Sequence, residues 1–215
     1  MADVKRAGKQ AQKSQETRRR ILEAARELFV ERGYGATMLQ DVAAQAGVAV
    51  QTIYFVFGNK RTLLREVVDI SIAGDDEPVA TMDRPWFRDA LAAETADAQL
   101  RTHIRGTREI LERVAPIMKM VDTAAAGDPE IAGLWPQDEN PRFVVHATAA
   151  QALMAKPGAR PGMPAERAAD VLFGVLSPEL YLLFVRERGW SPEQWEQWAY
   201  ECLRSQLCSV RNQNQ

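Results

Sequence analysis

Two cysteines and two histidines in 215 residues leave little for a metal to hold. Cys202, Cys208, His103 and His146 stand at no chelating spacing from one another, so no metal centre is expected. The cysteines lie six residues apart in one helical segment, on different faces of it. They read as plain thiols of a reducing compartment. His103 reads as a surface residue and His146 as a partly buried structural one. Also missing are a nucleophile–base constellation and a phosphate-cradling glycine loop, so neither enzymatic activity nor a cofactor is expected. No apolar run approaches the roughly 18 residues that a membrane span needs. The opening MADVKRAGKQAQKSQETRRR is basic and polar with no hydrophobic region behind it, which does not suit a secretory signal. These absences point to a cytoplasmic protein. Strand-like alternation persists nowhere. What remains is 46% hydrophobic and 26% charged, enough to bury a core, and it is patterned for helices.

The net charge of −2 divides unevenly. Residues 1–65 carry 12 Lys and Arg against 6 Asp and Glu, and the remainder carries 15 against 23. That asymmetry points to an anionic partner for the basic end. Residues 1–13 lack aromatics and periodicity and are expected to form a disordered basic arm. From Thr17 the pattern is helical: Ile21, Leu22, Ala25, Leu28 and Phe29 make one apolar face, with Arg18, Arg19, Arg20 and Arg26 largely off it. Gly33 ends this helix as a residue able to take positive φ. Thr37 is expected to cap a short second helix, with Gln40 closing a capping box and Gly47 as the stop. A third helix follows over 50–56, and Asn59 caps a fourth that begins at Lys60. Residues 75–85 read as a loop.

Helices then dominate. One covers about 96–126 with a break or kink at Pro116. Another starts at Asp128 and Pro129 and runs to about Ala155. The loop KPGARPGMP leads into a long apolar helix interrupted at Ser177–Pro178. The last helix carries the strongest start signal: Ser191 at the N-cap, Pro192 at N1 and Gln194 for a capping box. Trp190 is placed there to staple onto Trp195. The expected fold is all-α.

The stretch from Leu39 to Phe57 has the parts of a helix-turn-helix. Ala43 is the small residue where two helices cross, Gly47 four positions on suits the turn, and Val48 and Ile53 anchor the second helix on the first. With Ile53 and Phe57 turned inward, helical geometry turns Val50, Gln51, Tyr54 and Phe55 outward. The longer run TRRRILEAARELFVERGYGATMLQDVAAQAGVAVQTIYFVFGNKRTLL resembles the N-terminal domain of the tetracycline-repressor (TetR) family of bacterial transcriptional regulators. The likeness rests on Ile21-Leu22, Ala25, Leu28-Phe29, Gly33-Tyr34, Thr37, Val42-Ala43, Ala46-Gly47-Val48, Thr52-Ile53-Tyr54, Phe57, Lys60 and Leu63-Leu64. LSPELYLLFVRERGWSPEQWEQWAYECL is similar to the last two helices of a subfamily, which implies a dimerisation surface.

The resemblance implies a three-helix DNA-binding domain over 14–60 and a helical-bundle domain for ligand binding and dimerisation over 61–215. It implies phosphate contacts from Thr37, Tyr54 and Lys60, with Val50, Gln51, Thr52 and Phe55 also at the DNA. Gln51 suits an adenine edge and Val50 a thymine methyl on chemical grounds alone. Two positions depart from the family pattern. Ala49 stands where Ser often caps the recognition helix, and Gln51 stands where Gly is common, so an operator sequence cannot be transferred. The implied partners are a palindromic double-stranded operator, a small-molecule effector and a second copy of the chain, with no membrane. Ligand-lining candidates are Trp86, Phe87, Met118, Met120, Asp122, Trp135, Phe143 and Phe173. Leu172, Val175, Leu176, Leu180, Leu183, Phe184, Trp195, Trp198 and Leu203 are candidates for the dimer face. The expected function is a repressor released by its effector. A transcriptional activator, or a helical small-molecule-binding protein with a vestigial helix-turn-helix, is the alternative.

Overall fold

Helix α1 spans Ala2–Arg32 in the computed structural model, which describes residues 2–75, 77, 79–135 and 140–209. It therefore runs through most of the segment expected to be a disordered arm. Residues 9–16, KQAQKSQE, are mostly good helix formers, and extending a helix already packed beyond Thr17 costs no new nucleus. Ile21, Ala25, Leu28 and Phe29 are fully buried, as the periodicity predicts. Gly33, with φ of 84°, ends the helix. Helices α2 (Leu39–Ala46), α3 (Val50–Phe57) and α4 (Lys60–Ala73) follow. The start of α2 falls one residue later than the capping-box reading. Met38 is the N-cap, and its N–H donates to Asp41 Oδ2 at 3.1 Å. Asn59 Oδ1 accepts from Thr62 N at 2.9 Å and caps α4.

A 3-10 turn at Thr81–Asp83 leads into α5 (Pro85–Ala92) and then α6 (Ala96–Ala125), a helix that continues through Pro116 without a break. The single helix expected from Pro129 onward is two. Helix α7 covers only Pro129–Ala132, and α8 (Pro141–Met154) starts afresh where Asn140 Oδ1 accepts from Arg142 N at 3.0 Å. Gly133 follows the first, and Pro141, lacking an N–H, suits only a helix start. Helix α9 (Ala165–Val175) is followed by α10 (Pro178–Leu182), a π-helical turn at Leu183–Glu187, and α11 (Pro192–Leu207). Ser177 Oγ accepts from Leu180 N at 3.2 Å and restarts the helix after the expected interruption.

The stretch Ala165–Glu187 corrects the reading that no apolar run is long enough for a membrane. By length and composition it qualifies, with mean hydropathy 1.6. It is divided among three elements, however, and Ala168, Ala169, Leu172, Leu176 and Tyr181 are buried in the protein. At the start of α11 the capping box forms in both directions: Gln194 N donates to Ser191 Oγ at 3.2 Å, and Ser191 N to Gln194 Oε1 at 2.8 Å. The staple goes elsewhere. Trp190 stacks on Phe184 at 4.5 Å, whereas buried Trp195 meets Tyr181 edge-on at 5.1 Å. The reason is the bond from Trp190 N to Phe184 O, 3.0 Å, which folds the chain back onto the π-helical turn.

The chain divides into two compact units. The first is Met1–Ser71 with Ile117–Trp135, so it takes in most of α4, the end of α6 and all of α7. The second is Ile72–Pro116 with Pro136–Gln215, and its core is built where α8, α9 and α11 pack together. Among the described residues the only non-helical pairing is an isolated antiparallel bridge between Ala159 and Cys208. Both cysteines are free.

Candidate functional site

In the first unit, α2 and α3 are joined by a turn that only a few residue types can make. Gly47 sits at φ 65° and ψ 42°, in the left-handed region, and Val48 N donates back to Ala43 O at 3.0 Å. Ile53 and Phe57 are buried and hold α3 against its neighbours. The opposite side is open. Gln51 is exposed, Val50 and Thr52 are half-buried, Tyr54 is 51% exposed, and Phe55 is 91% exposed. Ala49 precedes α3 with extended backbone and, as its side chain dictates, gives the first turn no side-chain cap. The outward face is therefore an amide, a phenol and a bare aromatic ring on a short rigid rod.

Two residues assigned to phosphate are used otherwise. Thr37 is buried, and its hydroxyl is directed at Gly33 O (2.8 Å) and Leu28 O (3.1 Å), which ties it to the end of α1 and the turn after it. It has no surface from which to reach a phosphate. Lys60 is half-buried; its ammonium donates to Tyr34 O and lies 4.2 Å from the centroid of the Tyr34 ring. Burial pulls its pKa below the ordinary lysine value. Lys60 thus joins the start of α4 to the turn after α1. Sequence reasoning missed two exposed side chains: Met38, 65% exposed at the start of α2, and Arg20, whose guanidinium lies beside Gly47. Arg20 was visible as one of three consecutive arginines, but its place beside the turn is a tertiary fact.

The eight ligand-lining candidates do not form one set. Met118, Met120, Asp122 and Trp135 belong to the first unit, where Met120 is buried and Asp122 exposed. Trp86, Phe87, Phe143 and Phe173 belong to the second unit and gather round two histidines. His103 on α6 and His146 on α8 are both buried, which corrects the surface reading of His103, and their Nε2 and Nδ1 atoms are 3.1 Å apart. Trp86 and Phe87 lie 5.9 and 6.1 Å from the His103 ring, and Phe173 lies 6.3 Å from that of His146. Phe143 meets Phe173 edge-on at 5.5 Å. Burial pushes His103 down to about 4. Burial, then His103 and Arg142, pushes His146 down to about 2. Both rings are neutral at physiological pH, so one N–H is shared between them. Arg142 lies over the Phe173 ring at 3.5 Å and donates to Phe173 O at 2.8 Å. The spacing of Arg142 and His146, and of Gln99 and His103, is i, i+4 in each case. That signal was in the sequence and went unused.

Four dimer-face candidates are also corrected. Leu172, Leu176, Trp195 and Leu203 are 0% exposed within the chain's own core and have no surface to offer a second copy. Val175, Leu180, Leu183, Phe184 and Trp198 keep exposed area, Leu183 the most at 39%.

An all-helical chain with a rigid, outward-facing second helix of this kind is a helix-turn-helix protein. Residues 21–67 match the family of bacterial regulatory proteins described as the tetR family. The regulator TtgR of Pseudomonas putida is 43% identical over 58 residues, which is 27% of this chain and 28% of TtgR. The uncharacterized regulator TtgW of the same species is 32% identical over 108 residues, 49% of this chain and 79% of TtgW. A transcriptional regulator from Saccharomonospora viridis, solved in complex with choline, shares the fold with a TM-score of 0.68. It is 20% identical, over 91% of this chain and all of that one. The chain belongs to the TetR family of transcriptional regulators.

Proposed function

We propose that this protein is a transcriptional repressor that binds a palindromic operator as a homodimer and is released by a small-molecule effector. The observation that carries the reading is the α3 face, on which Gln51, Tyr54 and Phe55 stand outward while Ile53 and Phe57 hold the helix in place. A surface with a 91% exposed Phe beside an amide is costly to leave in water and suits the major groove, where the ring can rest on thymine methyls and the amide can pair with adenine. Exposed Leu183, with half-buried Val175, Leu180, Phe184 and Trp198, supports a second copy as partner. The cytoplasm is the compartment in which such a protein would meet its operator. An effector acts only by preferring one of two conformers, and release follows if the preferred one spaces the recognition helices wrongly. The test is gel retardation with DNA from upstream of the protein's own gene against a shuffled duplex of equal length. Equal retardation of both sinks the reading. Retardation together with raised transcription of a reporter replaces repression with activation.

A further inference from the structure

We propose that the polar core of the second unit, His103, His146 and Arg142 walled by Trp86, Phe143 and Phe173, is a binding site for a planar aromatic acid. The inference rests on the effector reading above and deepens it by naming the ligand's class. Its first support is a pair of orphaned atoms. Gln99 Oε1 and His103 Nδ1 have no hydrogen-bond partner among the described residues, although Gln99 is 0% and His103 1% exposed. They stand one turn apart on α6, and both residues reach α8: Gln99 Nε2 donates to Ala149 O at 2.7 Å, and His103 meets His146. Protein interiors leave few such atoms unpaired, because each has given up water for nothing. Two together on one helix face mark a place where a polar ligand group completes the structure.

The second support is Arg142. Among the described residues no carboxylate lies within ion-pair distance of it, Glu179 acting on its charge only from farther off, and one of its five N–H donors goes to Phe173 O. Burial draws its pKa down to about 10, which leaves it charged. A guanidinium held over a ring with one N–H on a carbonyl has donors left on its fork, and the group that fits a fork is a carboxylate. Arg142 and His146 share a face of α8, so an acid held by Arg142 lies beside the histidine pair. The edge-on rings of Phe143 and Phe173 offer apolar walls for a flat body. A hydroxyl or amino group on that body would donate to Gln99 Oε1. The same cation argues against a quaternary ammonium ligand.

A wall has to move for entry, and Trp86 is built to do so. It is only half-buried. The indole also occupies a niche over Gly106, where a Cβ would overlap it.

The test titrates the full-length protein by calorimetry and tryptophan fluorescence. The probes are benzoate, 3-hydroxybenzoate and 1-naphthoate, each beside its uncharged primary amide, and choline. At least one acid should bind about tenfold or more tightly than its amide, with quenching that Trp86→Phe alters. Arg142→Gln should abolish the preference for acid while helical circular dichroism stays unchanged. Arg142→Lys, which keeps the charge and loses the fork, should keep only part of it. Failure of all three acids to bind, equal binding of acids and amides, tighter binding of choline, or a preference that survives Arg142→Gln overturns the proposal. Repeating the titration on the operator complex separates the two readings. Acid binding that leaves the DNA complex intact upholds the site and removes the effector role. Release of DNA by an amide or choline, without acid binding, keeps the effector role and overturns the site.

Discussion

Phe55 buries almost nothing within its own chain, so its truncation separates folding from binding. Phe55→Ala should leave the thermal midpoint where it is, since exposed substitutions of this kind fall within about 0.5 kcal/mol. Operator retardation should weaken clearly; if it does not, the ring is not at the DNA. Gln51→Ala should cost roughly 1–3 kcal/mol of discrimination at one base pair per half-site, read by competition with single-substituted operators. Equal loss on random DNA would make Gln51 a backbone contact. Lys60 gives a different expectation from the one the family pattern suggests. With its ammonium on Tyr34, Lys60→Ala should lower stability by about 1–2 kcal/mol in thermal denaturation. The outward set Gln51, Tyr54 and Phe55 was legible because a short helix with two inward anchors has only one outer face. Thr37 and Lys60 were not, since nothing local says that a hydroxyl or an ammonium has been claimed by a carbonyl elsewhere.

Helix starts were legible at three side-chain caps, though Asn140, which caps α8, was missed. Ser191, Asp128 and Asn59 do what their positions in the sequence say, because the bond they make spans two or three residues. Ser191→Ala should therefore cost about 1 kcal/mol in a urea titration. The division of α7 from α8, the π-helical turn and the rerouted Trp190 were missed. Asn140 and Pro141 offered a local start for α8, whereas the last two depend on what the segment packs against. The same holds for the seat of Trp86 on α6. Gly106→Ala should expel the indole, seen as a red shift of tryptophan emission together with a loss of stability. An unchanged spectrum would mean that α5 yields as a whole.

At the scale of the molecule, acid should be felt first through the two buried histidines. Both have folded-state pKa values, about 4 and about 2, far below the ordinary 6.5. Around pH 5 the unfolded chain holds nearly two protons that the folded one does not. Stability is therefore complete above about 6.5 and falls as the pH drops, by up to about 2.7 kcal/mol per pH unit. Urea midpoints at pH 7, 6 and 5 check this, and replacing His103 and His146 by Leu should flatten the dependence. The all-helical class and most elements could be read from periodicity, but the make-up of the units could not. Pro116 was expected as a break or kink in α6; the helix continues through it, and the chain passes there from one unit to the other. That nesting bears on the order of synthesis. The first unit includes buried Ile117 and Ile131, so its last piece leaves the ribosome only with Trp135. The second begins at Ile72 but waits for Ser209, whose N–H donates to Gly158 O at 2.9 Å. At about 5–20 residues per second, α5 and the first part of α6 spend several seconds without their partners. Ribosome-attached chains should be easily cleaved there until the last helix emerges.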